Sequence, residues 1–183
     1  MWLAGPIALS MAADCMFPSD KPECPSPDRR VVLSWSMQPG NWREVTWRQP
    51  SSGTSGLVGR FERTVEVFWS PGGHLLGLTD HAGSDNSHAL VWSDLATKPR
   101  SFEEDLRRVA PADDPLWGNH HQYFDIVKWV GPGRLLIRAW GHGNIQDADV
   151  DRLYSWGTDG CGTTGRTDPV TTLKLTPWPG PDY

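Results

Sequence analysis

The stretch Trp69–Leu76 (WSPGGHLL) returns sixty residues later as Trp129–Leu136 (WVGPGRLL), and this repeat decides the fold. Each copy places proline and glycine between two apolar runs. Proline and glycine set the backbone of a tight turn, while the flanking apolar residues supply one buried face of a hairpin. Each copy therefore predicts two antiparallel strands joined by a short turn.

The likeness continues beyond each hairpin. His81 and His142 follow the second strand of their copies, and a further strand comes next, at 89–92 in the first copy and at 153–156 in the second. We therefore expect two related three-stranded meanders, covering about 61–95 and 121–157.

The rest of the chain completes the predicted fold class. Residues 50–59 (PSSGTSGLVG) predict a flexible loop, because they are rich in glycine and serine. One helix is expected after Ser101, where a capping-box pattern places acidic residues in the first turn and Arg107 in the last. The expected fold is all-β, with antiparallel meanders in a propeller-like or sandwich-like arrangement and one short helix.

The first copy resembles the blade repeat of TolB-type β-propellers. In that repeat a W-S-P-D-G turn precedes a strand, and a later strand ends in an aromatic residue with an aspartate. Trp69–Pro71 and Gly73 match the turn, with Gly72 at the Asp position, and Trp92 with Asp94 matches the strand end. The sixty-residue spacing exceeds the about 40–45 residues of such blades, so the resemblance implies a propeller-like fold and not a complete propeller.

Three regions are predicted along the chain. Residues 1–13 are apolar and end in small residues, as expected for the remnant of a secretory signal. The alternatives are an unstructured start or a remnant of cloning. Residues 14–29 form a proline-rich leader, and residues 30–183 form a single β domain. The signal favours a periplasmic or secreted location.

The three cysteines fit one disulfide and one free thiol in an oxidising compartment. Cys15 with Cys24 would hold the leader, whereas Cys24 with Cys161 would join the two ends of the domain. The spacing leaves both pairings open.

Composition narrows the classes of partner. The formal net charge is −5, and no basic patch typical of nucleic-acid binding is present. No stretch reaches the about 20 apolar residues of a membrane span. Proteins, sugars or small molecules are therefore the expected partners, with a protein preferred and no nucleic acid.

Sequence motifs for common enzymes, such as GxSxG, HExxH or a phosphate-binding loop, are missing. Histidines give the best catalytic hint, because His81 and His142 with Asp80 or Asp85 would offer zinc ligands or acid–base groups. We prefer the interpretation that these repeat-equivalent histidines cap turns. Alternating carboxylates at Asp147, Asp149 and Asp151 suggest either a calcium site or, as we prefer, a solvated acidic edge.

The leading hypothesis is a non-enzymatic binding protein of the bacterial envelope, such as an inhibitor or immunity protein that blocks a toxin or hydrolase. A carbohydrate-binding module is the alternative, and a metal-assisted hydrolase is a third. Repeat-equivalent loops of a meander emerge on one side, so we expect an interaction edge there. Tryptophans near glycine, proline or asparagine are expected to reach the surface more often than those in strand patterns, and for any single one we prefer packing in the core or at its rim. The predicted edge consists of Asp80, His81, Asp85, His88, Trp117, His120, His121, Trp140, His142, Asp147 and Asp149.

Overall fold

The computed structural model describes residues 13–143, 150–157 and the backbone of 167–169. Their secondary structure is nearly all β, with one helix. The strands are β1 Cys15–Phe17, β2 Glu23–Pro25, β3 Val32–Met37, β4 Arg43–Arg48, β5 Ser55–Phe61, β6 Val65–Trp69, β7 Leu76–Asp80, β8 Asn86–Trp92, β9 Arg100–Ser101, β10 His121–Gly131, β11 Arg134–His142, β12 Val150–Gly157 and β13 Thr167–Pro169. The helix α1 is Phe102–Val109, and a 3₁₀ turn covers Pro115–Gly118.

The strands form a four-stranded sheet in the order β2-β3-β4-β5, and a nine-stranded sheet in the order β1-β6-β7-β8-β10-β11-β12-β13 with β9 beside β8. They pack as three layers: we call the four-stranded sheet sheet I, the part of the nine-stranded sheet with β1 and β6–β9 sheet II, and the part with β10–β13 sheet III. A short parallel pairing of Asn86 and Ser87 with Gln122 and Tyr123 joins sheet II to sheet III. The other strand pairs are antiparallel, so the predicted fold class is confirmed.

Sheet II is the middle layer, because its strands alternate apolar side chains toward both neighbours. Val67 and Leu78 pack with Leu33 and Val45 of sheet I. On the opposite face a second core joins sheets II and III with α1; its central members are Phe68, Ala89, Val91, Phe102, Leu106, Phe124, Ile137 and Trp156.

The repeated turn has a clear physical basis in its first copy. The buried Ser70 hydroxyl accepts the amide of Leu75, and the amide of Gly73 donates to the carbonyl of Ser70. Gly73 has a φ of +72°, a conformation that side-chain-bearing residues rarely adopt. Serine at the start and glycine before the second strand are therefore both required by this turn.

The flexible loop predicted at 50–59 is wrong, because β5 begins at Ser55 and pairs with β4. The two glycines of β5 make room for aromatic rings. A Cβ on Gly56 would lie 2.8 Å from Nε1 of Trp47, and one on Gly59 would lie 2.8 Å from the ring of Phe61. Glycine at these two positions allows the aromatic rings to pack closely against the strand. Composition alone instead predicts a flexible loop.

The amino-terminal segment is built into two sheets. β1 pairs with β6 in sheet II, and β2 pairs with β3 in sheet I. A disulfide joins Cys15 to Cys24 with their Cα atoms 6.0 Å apart, which selects one of the two predicted pairings. Cys161 lies outside the described residues. The disulfide therefore ties sheet I covalently to sheet II.

Helix α1 is confirmed, with the Ser101 hydroxyl accepting the amide of Glu104. The helix is held to sheet III by a buried carboxylate. Asp105 accepts the indole N–H of Trp156 at 2.9 Å and pairs with Arg100 and Arg108. In the described part of the chain, no helix has the length and apolar character needed to cross a membrane.

Candidate functional site

The outer face of sheet III carries a stack of four rings, which we call the aromatic ladder: His121 and Tyr123 of β10, and Trp140 and His142 of β11. Residues directly opposite on neighbouring antiparallel strands share a face. His121 lies opposite His142 and Tyr123 lies opposite Trp140. The opposite face of the same strands carries the core formed with sheet II.

The rings of the aromatic ladder are stacked face to face. The ring centroids of Tyr123 and Trp140 are 4.0 Å apart with 18° between their planes. Those of His121 and His142 are 4.4 Å apart with 11° between their planes. The first three rings are partly exposed and His142 is exposed. The stack is therefore an ordered aromatic surface that a partner can reach.

Hydrogen bonds hold the aromatic ladder in position. The indole N–H of Trp140 donates to Asp125 at 2.7 Å, and the fully buried hydroxyl of Ser87 donates to the other oxygen of the same carboxylate at 2.6 Å. The hydroxyl of Tyr123 donates to the carbonyl of Ser84 at 2.8 Å. Because Ser84 and Ser87 belong to sheet II and its loop, these bonds fix the rings relative to the rest of the fold.

A charged pair continues the surface beyond Trp140. Arg138 makes two hydrogen bonds to Asp151, of 2.9 Å and 2.8 Å, and its guanidinium carbon lies 5.2 Å from the centre of the Trp140 ring. The sequence pattern groups Asp151 with Asp147 and Asp149, as a calcium site or an acidic edge. Its two oxygens instead meet Arg138, while Asp147 and Asp149 lie outside the described residues.

A small cavity of about 180 Å³ lies beside the aromatic ladder, between the starts of β8 and β10. Three residues of the predicted edge, Asp85, His88 and His120, line it. His88 lies 3.3 Å from Glu103 of α1, and this carboxylate raises the pKa of the histidine. The cavity thus combines acidic and histidine side chains within one recess.

Asp80 and His81 lie at the end of β7, with Asp80 directly opposite His88. Burial raises the pKa of Asp80, and one of its carboxylate oxygens is buried without a hydrogen-bond partner among the described residues. His81 lies 3.4 Å from Glu66, which raises the pKa of that histidine by a side-chain hydrogen bond.

The structure does not bring all predicted residues together. His81 is paired with Glu66, whereas His142 is stacked on His121. Trp117 lies with α1, where Arg107 covers its ring at 4.1 Å. Within 13–143 and 150–157, no group of three or more histidine, cysteine, aspartate or glutamate side chains has a geometry suited to a metal ion.

Sequence reasoning missed three members of this surface, namely Tyr123, Asp125 and Arg138. A signal for them exists, because His121, Tyr123 and Asp125 alternate along β10 and Arg138, Trp140 and His142 alternate along β11. A period of two places each set on one face of its strand.

Comparison with known proteins supports the fold alone. No family model matches the chain, and no curated protein matches it. A solved structure, the β-propeller domain of the Trilobed protease from Pyrococcus furiosus, which has an open velcro topology, matches with a TM-score of 0.50 at 9% sequence identity. The match covers 81% of this chain and 42% of that one, so the chain spans less than half of that structure's length. The three stacked sheets are therefore similar to part of a propeller.

Proposed function

We propose that the protein is a non-enzymatic binding protein, that its partner is another protein, and that the partner docks on the aromatic ladder. The observation that carries this proposal is the stack of partly exposed rings on the outer face of sheet III. Tryptophan, tyrosine and arginine dominate the energetics of protein interfaces. The hydrogen bonds that Trp140 and Tyr123 donate to Asp125 and to the Ser84 carbonyl hold these two rings before binding, which lowers the entropy lost on association.

The proposal extends to the biological role. An inhibitor or immunity protein of the bacterial envelope, blocking a toxin or a hydrolase, suits a compact acidic chain with a net charge of −5. The Cys15–Cys24 disulfide supports a periplasmic or secreted location, because disulfides persist in oxidising compartments. The turn around Ser70 and Gly73 supports a relationship to TolB-type blades.

Sugar binding is the competing proposal for the same residues. An aromatic platform for a sugar needs an open ring face. Tyr123 and Trp140 lie 4.0 Å apart and cover one face of each other, and Arg138 lies 5.2 Å from the Trp140 ring. This arrangement leaves ring edges and a charged neighbour at the surface, which favours a protein partner.

A capture experiment tests the proposal. The tagged protein is incubated with envelope extract from its own source, and bound proteins are quantified by mass spectrometry for the wild type, Trp140→Ala and Trp42→Ala. Trp42 is a matched control, because it is 39% exposed and lies beside β4 of sheet I. We expect one protein in near-equal amount with the wild type and the control, and at least tenfold less with Trp140→Ala.

Two results would contradict the proposal. Equal capture by Trp140→Ala would remove the aromatic ladder from the interface. Capture of a glycan, with no protein retained, would favour the carbohydrate-binding alternative. Circular dichroism of each variant shows whether a lost partner reflects a lost fold.

A further inference from the structure

Three apolar side chains on the outer face of sheet III form a cluster of their own, which we call the outer apolar patch. It consists of Val127 of β10, Leu136 of β11 and Leu153 of β12. Leu136 precedes the core residue Ile137 and shares its face of β11 with Trp140, because side chains alternate along a strand. The patch therefore occupies the same face as the aromatic ladder, nearer the other end of the strands.

The patch is buried although it lies on an outermost layer. Val127, Leu136 and Leu153 are 6%, 5% and 7% exposed, whereas the stacked ring of Trp140 on the same face is partly exposed. Within the described ranges, sheet II and α1 pack on sheet III through the opposite face. A sheet face with no layer over it stays in contact with water. The low exposure therefore indicates that a further segment of the chain covers the patch.

The connection between β11 and β12 is too short to be that segment. Residues 144–149 join the two strands at the end that carries His142. Six residues with both ends held there reach at most about 10 Å from the strand ends. Leu136 lies six positions along β11 from His142, which is about 20 Å.

Composition and position select among the other segments outside the described ranges. Residues 158–166 contain no leucine, valine, isoleucine or aromatic residue, so they offer little apolar surface to bury. Residues 1–12 precede β1 of sheet II and belong to the stretch that we interpret as the remnant of a secretory signal. Residues 170–183 follow β13, the edge strand of sheet III.

The chain leaves β13 next to the outer apolar patch. Pro169, the last residue of β13, pairs with Tyr154, so residue 170 follows near Leu153. Neighbouring strands lie about 4.8 Å apart, so about 10 Å separates β12 from β10. The fourteen residues 170–183 extend over about 45 Å, which is ample to cross from β12 to β10.

The composition of residues 170–183 suits an apolar surface. Leu173 and Leu175 alternate with threonine and lysine, which places both leucines on one side of an extended chain. One lysine and one aspartate are the only charged side chains among these residues. The three prolines further along oppose a helix, so an extended chain is expected.

We infer that residues 170–183 pack across the outer apolar patch, with Leu173 and Leu175 facing it. The segment and the aromatic ladder then divide the outer face of sheet III between them. The surface open to the proposed partner ends where the segment lies. The inference rests on the burial of the patch and on the course of the chain after β13, so it stands whether or not a partner binds the ladder.

Contacts between methyl groups test the inference directly. The full chain is labelled with carbon-13 at the leucine and valine methyl groups, and the leucine signals are assigned with Leu→Met variants. We expect nuclear Overhauser cross-peaks in the wild type that join Leu173 or Leu175 to Leu136 or Leu153.

A pair of variants adds a matched control. Leu175→Asp should shift the methyl signals of Leu136 and Leu153, because a carboxylate does not pack on an apolar patch. Thr176→Asp introduces the same charge at the neighbouring position and should leave both signals in place. An unmoved indole N–H signal of Trp140 shows that the fold is intact in each variant.

The inference is overturned if the wild type gives no cross-peak between residues 170–183 and the patch, or if both variants shift the patch signals equally. Cross-peaks from the patch to Leu3 or Leu9 would overturn it in favour of the amino-terminal segment. Cross-peaks that appear only between labelled and unlabelled chains of a mixed sample would assign the cover to a second copy of the chain instead.

Discussion

Sheets I and III are the two outer layers of the same stack, yet their outer faces differ in kind. The outer face of sheet I carries ion pairs between Arg48 and Glu23 and between Arg60 and Glu44, each at 3.0 Å. The outer face of sheet III carries the aromatic ladder. Exposed ion pairs keep an outer sheet face in water, whereas a half-exposed aromatic stack retains surface that a partner can bury. We therefore expect the outer face of sheet I to remain in solvent and the proposed partner to bind the outer face of sheet III.

The attachment of each outer sheet to the middle layer also differs. A disulfide ties sheet I to sheet II, while sheet III is attached by the short pairing of β8 with β10, by the core shared with sheet II and α1, and by side-chain hydrogen bonds. The amides of Phe124 and Ile126 donate to the hydroxyls of Ser87 and Thr79, both at 3.0 Å. The strand that carries half of the aromatic ladder is therefore held partly by buried polar contacts, each of which a single substitution can remove.

The largest expected effect is the loss of the buried carboxylate that holds α1 to sheet III. Asp105→Ala leaves the indole N–H of Trp156 buried without an acceptor and separates Arg100 and Arg108 from their shared partner. We expect the free energy of unfolding to fall by about 3 kcal/mol or more. Urea denaturation measures this fall, with the exposed Asp113→Ala as control. A loss equal to that of the control would show that sheet III does not depend on Asp105.

The next effect concerns the aromatic ladder itself. Single and double alanine variants of Tyr123 and Trp140 form a double-mutant cycle, which isolates the energy of the stacked pair. We expect a coupling of about 0.5–1.5 kcal/mol in the free energy of unfolding. Additive effects of the two substitutions would mean that the rings lie together without stabilising each other.

A smaller effect is the pH dependence that the histidine pairs give to stability. Glu103 raises the pKa of His88 in the folded protein, so the folded state binds the proton more tightly than the unfolded state. This stabilisation is complete below the ordinary histidine pKa of 6.5 and is lost as the pH rises through the folded value. His88→Gln should therefore reduce the decline in stability between about pH 6 and about pH 9.

Urea denaturation at both pH values gives that decline. The exposed His74→Gln serves as control, because in the described part of the chain His74 has no hydrogen-bond partner. An unchanged decline in His88→Gln would assign the pH dependence to other groups, of which His81 beside Glu66 is the first to examine.

The smallest effect is expected on the solvated face of sheet I. Arg60→Ala removes an ion pair whose arginine side chain is 63% exposed. Such pairs contribute less than about 1 kcal/mol. Stability should change little and partner capture should not change at all. If capture fell as far as with Trp140→Ala, the two outer faces would not differ in function.

Several elements were predictable from the sequence because their causes are local. The turn between β6 and β7 needs the hydroxyl of Ser70 and the positive φ of Gly73, and both residues stand in the first copy of the motif, only the glycine being repeated as Gly133. The helix start at Ser101 likewise follows from residues within one helical turn. Strand β5 was missed because its glycines serve rings on other residues, and no local pattern records which ring lies over Gly56.

The aromatic ladder shows why the site was only partly predictable. Counting straight back from the turn that pairs Gly131 with Arg134 would place Tyr123 opposite His142. Irregularities in β10 near Val127 and Val130 change the register, and Tyr123 lies opposite Trp140. Bulges add residues to one strand of a pair. The two irregularities therefore change which rings lie opposite each other, while the rings stay on the same face of the sheet.

The sequence by itself determined the all-β class, the repeated hairpin turn and the capped helix, because turns and caps arise from neighbours a few residues apart. The tertiary structure alone decided that Cys15 pairs with Cys24, that His81 pairs with Glu66 while His142 stacks on His121, and that four rings stack on sheet III. These outcomes depend on register and on sheet stacking, which are set by packing between residues far apart in the chain. One face of the third sheet thereby became the candidate site.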